Sequence, residues 1–373
     1  MKIRKMPLGA RIRRRWNQTL RSAASRFADH AMERVTSYLH RQVLDRYMAL
    51  LDPRSLLVVG RPPALSRTLA LFLARRDSGL RVACFSGDTA PVAPSANGFD
   101  HISKDELSAI AHESFDAVFL VDDDFYVDMG HQKKLRSLKQ HGVPVFFLFS
   151  RPILAPGVVW PRWLEWRTSF GQTGISHQGM FRLAGSYLSD VFGPGGGDFA
   201  EFGCFDGWSF AMAYHCLSHV VSRFLAFDSF EGILGSAPGE EVFCDGDWYS
   251  NKNTFLQNMR YAGLDLGRVQ TIAGDYRKTL CEGRKGELKL GRVIAVHIDC
   301  DVRSSTRLAL DFVAEHLADN ALVLFDDWDR LGSDSTVGER RAAADWLADN
   351  RGFALEPWRN YGCYCRAFIF RRI

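Results

Sequence analysis

The sequence predicts an α/β protein in two parts, a smaller parallel-sheet unit followed by a larger, doubly wound one. Three observations point there. Strand-sized apolar runs alternate with helix-like segments in both halves of the 373 residues, the pattern of buried parallel strands covered by helices. Hydrophobic residues make up 46% and charged residues 24%, a globular balance that excludes a wholly disordered, collagenous or disulfide-scaffold chain. In the second half each strand-like run ends in or beside a carboxylate, and ligands of open α/β sheets bind beyond the carboxyl ends of the strands.

A basic arm comes first. Residues 1–28 carry nine Lys or Arg and no acid, leaving 38 basic against 43 acidic residues in the rest of a chain of formal charge +4. Such an arm suits peripheral contact with an anionic surface, membrane or RNA, although a solvated tail is the plainer reading. No apolar segment follows the charges as a secretory signal requires. No run approaches the roughly 18 apolar residues of a membrane span. Eight cysteines in mostly apolar contexts suggest reduced thiols and a cytoplasmic protein. Cys363 and Cys365 are spaced too closely for a zinc knuckle.

Residues 31–51 read as an amphipathic helix, with Val35, Leu39, Val43, Tyr47 and Leu50 at helical spacing, ended by Pro53. Apolar runs at 55–59, 80–85, 115–121 and 143–149 then alternate with helix-like segments at 65–75, 104–112 and 132–141. Residues 52–150 are therefore expected to form a Rossmann-like unit, but a degenerate one. Gly60 is followed by Arg61-Pro62-Pro63, and prolines remove the N–H donors a phosphate loop needs. Asp122-Asp123-Asp124 reads as a solvated loop. The unit is expected to serve partnering or assembly. Residues 151–175, with Pro152, Pro156 and Pro161, make a linker.

The second unit spans 176–373. A helix at 178–191 is broken by Gly193-Pro194-Gly195-Gly196-Gly197. A strand then enters Glu201-Phe202-Gly203-Cys204-Phe205-Asp206-Gly207, and a helix starts near Phe210. Glycines let the backbone approach a ligand and a helix start offers free N–H groups, so this reads as a cofactor turn. Strands at 224–228, 269–273, 293–298 and 321–325 lead into Asp228, Gly274-Asp275, Asp299 and Asp326-Asp327. An acid at the second strand's tip is placed to accept hydrogen bonds from ribose hydroxyls. Residues 240–258 mix acids with Trp248, Tyr249, Asn251 and Asn253, as a sugar-binding lid or a plain loop-to-helix connection would. A helix at 339–350 and a strand at 364–371 end the unit.

Four motifs, Ala-Glu-Phe-Gly (200–203), Phe-Asp-Ser-Phe-Glu-Gly (227–232), His-Ile-Asp-Cys-Asp (297–301) and Phe-Asp-Asp-Trp (325–328), occur in that order. The chain thereby resembles the macrocin O-methyltransferase family over about residues 176–372, and not over 1–165. These are class I S-adenosylmethionine-dependent methyltransferases that modify sugar hydroxyls of macrolides and related glycosides. The resemblance implies a seven-stranded sheet with an antiparallel last strand. It assigns Glu201, Gly203 and Gly207 to the cofactor turn, Asp228 to the ribose, Ser229 and Phe230 to the adenosine, and Asp275 to its adenine end. Phe205, between Gly203 and Gly207, departs from the full glycine pattern.

The family also implies a divalent cation, usually Mg²⁺, with Asp299, Asp326 and Asp327 as the matching ligands. Hard oxygen donors suit Mg²⁺, and clustered carboxylates without a cation would raise at least one pKa. Asp301 is a weaker ligand, suited with Ser304 and Ser305 to starting the next helix. A cation chelated by a vicinal diol lowers the pKa of one hydroxyl, and Asp299 is the expected base; His297 reads better as a core histidine. The expected acceptor is thus a glycosylated natural product or surface glycan, and the added α/β unit offers a surface for homo-oligomers. An RNA or protein methyltransferase steered by the arm is the alternative, as is a non-catalytic cofactor-binding scaffold. Base methylation has no use for the acids, and nucleic acid fits the acidic body poorly.

Overall fold

The structure, a computed structural model, describes residues 41, 44–49, 51–60, 62–75, 79–85, 99–102, 107, 114–121, 136–147, 175–240, 243–332 and 336–373. The basic arm, the 122–124 acidic run and the proline-rich 151–163 segment lie outside the described residues. Two compact units are present, Met1–Asp52 and Pro53–Ile373. In the first, residues 44–49 are helical and bury Leu44, Tyr47 and Met48, the three- and four-residue spacing of one helix face.

The second unit opens with a parallel five-stranded sheet. Its strands are β1 (Ser55–Val59), β2 (Arg81–Phe85), β3 (Asp100–His101), β4 (Ala117–Leu120) and β5 (Val145–Phe147), in the order β3-β2-β1-β4-β5. All four apolar runs become strands. β3 was not anticipated, because two polar residues make no apolar run. The prolines after Gly60 begin the helix Pro62–Arg75, where a missing N–H costs nothing.

A seven-stranded sheet follows: β6 (Gly197–Phe202), β7 (Val221–Asp228), β8 (Val269–Ala273), β9 (Val293–Ile298), β10 (Leu317–Phe325), β11 (Phe353–Tyr361) and β12 (Cys365–Arg372). Their order is β11-β12-β10-β9-β6-β7-β8, with β12 antiparallel to both neighbours. This is the class I methyltransferase fold, with its antiparallel end. β11 escaped the sequence reading because it is an edge strand carrying Glu356, Pro357 and Arg359 on a largely exposed run. From β6 the chain winds outward through β7 and β8; from β9 it winds the other way. A cleft therefore opens at the carboxyl ends of β6 and β9.

Capping fixes the helix that precedes β6. Helix His177–Phe192 starts where Ser176 Oγ accepts a hydrogen bond from Gly179 N. Helix Trp208–Leu217 starts at Gly207, whose φ is +90°. The core of the large sheet stacks Phe202 on Phe227 at 4.5 Å and Trp346 on Phe353 at 5.5 Å. All eight cysteines are free. Among the described residues no helix is long and apolar enough to cross a membrane.

Trp346 is fully buried, between Phe353 and Phe370. Trp346→Ala should lower stability by about 3–5 kcal/mol, read as a lower urea midpoint with an unchanged slope.

Candidate functional site

Backbone conformation builds the turn after β6. Gly203 has φ +90°, and a Cβ there would lie 1.8 Å from the carbonyl oxygen of Asp299. Only glycine lets the tips of β6 and β9 approach so closely. Gly207 also has φ +90°, and its Cβ would strike Met259 and Phe255. Between them Phe205 holds φ +46°, a conformation aromatic residues rarely adopt.

Asp228, at the end of β7, holds this turn. Its Oδ2 accepts from the amides of Cys204 and Phe205, both at 2.8 Å, and its Oδ1 from Phe230 N. Burial pushes the Asp228 carboxyl up, against the pull of those three amides. Ser229 closes a local turn, donating to Gly232 O and accepting from Glu231 N. Phe230 is buried against Phe255. Asp275, at the tip of β8, caps the short helix Tyr276–Thr279 and pairs with Arg277, which holds its carboxyl below the usual range.

Glu201 stands apart from the other rim acids. It is the penultimate residue of β6 and is fully buried; Oε1 accepts from Ser209 Oγ, and Oε2 lies 3.3 Å from His297 Nδ1. The spacing pattern placed it at the strand's tip, but its side chain faces into the core.

The acids at the tips of β9 and β10 divide into two groups. Asp299, Asp301 and Asp327 bring carboxylate oxygens within 4.8 Å of one another. Asp301 has φ +62°, and Glu339, nearly fully buried, accepts from the amides of Cys300 and Asp327 beside them. Burial, then repulsion from Asp327 and Asp299, pushes Asp301 and Glu339 well above the ordinary carboxyl range. A hard cation fits this donor set, because three converging carboxylate oxygens are the donors it prefers.

Asp326 belongs to the second group. Its Oδ1 lies 2.6 Å from His177 Nε2, 3.7 Å from His297 Nε2, and accepts from Cys365 Sγ at 3.3 Å. Burial opposes ionisation of Asp326, yet His177 and then His297 hold it well below the usual range. Burial likewise disfavours protonated His297, but Asp326 and Glu201 raise it well above the usual imidazole value. His297 is fully buried. His177 and Cys365 had no signal in the sequence, because they reach Asp326 from 149 and 39 residues away.

Glu240 and residues 243–258 follow β7 and lead into the next helix. Glu240 is fully buried and caps two helices, accepting from Arg303 N and Gly338 N. Asn251 caps the helix Lys252–Tyr261. Asp245 and Tyr249 line a cavity of about 570 Å³ together with Phe230, Glu231, Arg136 and Gln140.

Residues 200–328, about a third of the chain, match the family model described as "Methyltransferase domain"; with that domain the chain is an enzyme. No curated protein matches significantly. Similar solved structures include the O-methyltransferase NovP, at 14% identity over 58% of this chain and 91% of that one, TM-score 0.44. CalS11, a calicheamicin methyltransferase, is similar at 17% identity over 52% and 81%, TM-score 0.40. An O-methyltransferase from Bacillus cereus, solved with SAH, follows at 14% identity over 52% and 80%, TM-score 0.36. At these scores the likenesses assign no residue a role.

Two predictions follow from this geometry. Gly203→Ala should separate the two strand tips and melt the turn, seen as loss of amide protection across 203–207. The raised pKa values of Asp301, Glu339 and His297 mean that the folded state binds more protons than the unfolded one above the unfolded values. Their contribution to stability therefore falls as pH rises toward the folded values. Urea unfolding in EDTA should show these contributions fading as pH rises above the ordinary carboxyl range, and Asp301→Asn should flatten that fall.

Proposed function

We propose that the chain is an S-adenosylmethionine-dependent, Mg²⁺-assisted O-methyltransferase acting on a sugar hydroxyl of a glycosylated natural product or surface glycan. The observation that carries this reading is the convergence of Asp299, Asp301 and Asp327 at the tips of β9 and β10, against the Gly203 turn that Asp228 holds. A glycine turn, an acid on the next strand and a converged carboxylate group together suit a sulfonium cofactor, its ribose and a hard cation. The arm's contact with an anionic surface, the cytoplasmic location and any homo-oligomer remain subordinate parts of the same reading.

Each side chain then has a task. Asp228 aligns the turn through its amide contacts and keeps acceptor lone pairs for ribose hydroxyls. Ser229 and Phe230 shape the adenosine side, and Asp275 closes its far end. Asp299, Asp301 and Asp327 would hold the cation, which when bound lowers the pKa of a chelating hydroxyl. Asp299 takes the proton. Asp326, also a ligand in the family pattern, is drawn toward His177 and holds the β10 tip in register with that helix. Alignment of acceptor oxygen, methyl carbon and sulfur supplies much of the rate.

Calorimetry with S-adenosylmethionine, with and without Mg²⁺, tests this on the wild type, Asp301→Asn, Asp326→Ala and Asp327→Asn. The wild type should bind the cofactor, and Mg²⁺ at a hundredfold excess over its Kd should stabilise it by about 2.7 kcal/mol. Absence of cofactor binding would sink the methyltransferase reading; binding indifferent to Mg²⁺ and to Asp327→Asn would remove only the cation. A Mg²⁺ response kept in Asp326→Ala and lost in Asp301→Asn would identify the converged trio as the ligand set, and the reverse would restore Asp326.

A further inference from the structure

Among the described residues, a buried charge outside the rim is Lys139, in the short helical stretch 136–140 of the first α/β unit. Its side chain is fully buried, and Nζ donates to both oxygens of Asp206, at 3.0 and 2.8 Å, and to Tyr249 O at 3.3 Å. Asp206 is also buried, accepts from Ser250 Oγ, and its carbonyl accepts from Asn258 Nδ2 at 2.8 Å. The Lys139 carbonyl accepts from Asn251 Nδ2 at 2.8 Å, so both ends of this residue are tied to the second sheet's loops. One turn earlier Arg136 lies over the Tyr249 ring and donates to Gly246 O.

Asp206 lies inside the cofactor turn, and its neighbour Phe205 is held from the same side. The Lys139 ammonium sits 4.2 Å from the centre of the Phe205 ring, which also meets Trp248 edge-on and packs on the first unit's core. The amide of Phe205 is one of those gripping Asp228. A continuous path therefore runs from Lys139, through Asp206 and Phe205, to the carboxylate expected to face the ribose. Neither buried charge is readily tolerated without the other, so the five-stranded α/β unit and the turn are tied through this pair.

We propose that Lys139 is a positioning residue for the cofactor turn, so that the first α/β unit governs S-adenosylmethionine affinity from outside the methyltransferase fold. The proposal rests on the reading that the 203–207 turn binds that cofactor. It adds a duty for a unit whose own phosphate loop is blocked by prolines.

The test uses the full chain with Lys139→Met and with Lys139→Met/Asp206→Asn, which leaves no lone buried charge. Three quantities are read: S-adenosylmethionine Kd by calorimetry, urea stability, and hydrogen exchange of the Cys204 and Phe205 amides without ligand. Lys139→Met should weaken the cofactor at least tenfold and speed both amides at least tenfold. The double variant should regain urea stability while cofactor affinity stays at least tenfold low, a separation that a merely structural ion pair would not give. Affinity within threefold of wild type in either folded variant, affinity regained together with stability in the double variant, or unchanged amide exchange would each overturn the proposal. A wild type that takes no S-adenosylmethionine would instead overturn the methyltransferase reading and this proposal with it.

Discussion

The tips of β6 and β9 touch because residue 203 has no side chain. Gly203 lies where a Cβ would sit 1.8 Å from Asp299 O, and Asp299 N donates back to Phe202 O at 2.8 Å. This is also where the chain reverses its winding direction across the sheet, so a contact only glycine permits falls where an α/β sheet opens its binding cleft. The other distances of the site follow from it. The amides of Cys204 and Phe205 reach Asp228 on one side; Asp299 meets Asp301 and Asp327 on the other. The 203–207 turn and the carboxylate group are two faces of one backbone approach.

The same rim buries acids in two opposite ways. Asp326 is surrounded by His177, His297 and the Cys365 thiol, and its charge is matched within the protein. Asp299, Asp301 and Asp327 have Glu339 as their buried neighbour, another acid. Successive residues at a strand end point to opposite sides, and this alternation sends Asp326 and Asp327 into such different surroundings. A matched acid supports structure. Acids brought this close repel one another when ionised, and protons or a cation would relieve that repulsion.

What the sequence made legible follows from the same physics. Buried parallel strands are continuous apolar runs, so β1, β2, β4, β5 and the five parallel strands of the large sheet could be read directly. β3 and β11 could not, since one is two residues long and the other is an exposed edge with Pro357 in it. Rim acids were legible because strand ends mark them. Their partners were not. His177, Glu240 and Lys139 reach their targets across 149, 63 and 67 residues, and no local spacing encodes such contacts. Glu201 shows the limit of the pattern itself: one residue short of the tip, it joins the core pair with His297.

Two oddities of the sequence explain one another once the chain is folded. The 203–207 turn carries Phe205 where the resemblance implies a fuller glycine pattern, and a five-stranded α/β unit precedes the methyltransferase fold. Phe205 at φ +46° carries about 1–2 kcal/mol of left-handed strain, and a buried aspartate in a turn is unstable without a counter-charge. The five-stranded α/β unit supplies support: a ring-facing ammonium for Phe205 and a two-oxygen ion pair for Asp206. Its helical stretch at 136–140 meets Phe205, the residue that departs from the pattern. On the proposal above, the turn can dispense with glycine at 205 because another part of the chain holds it.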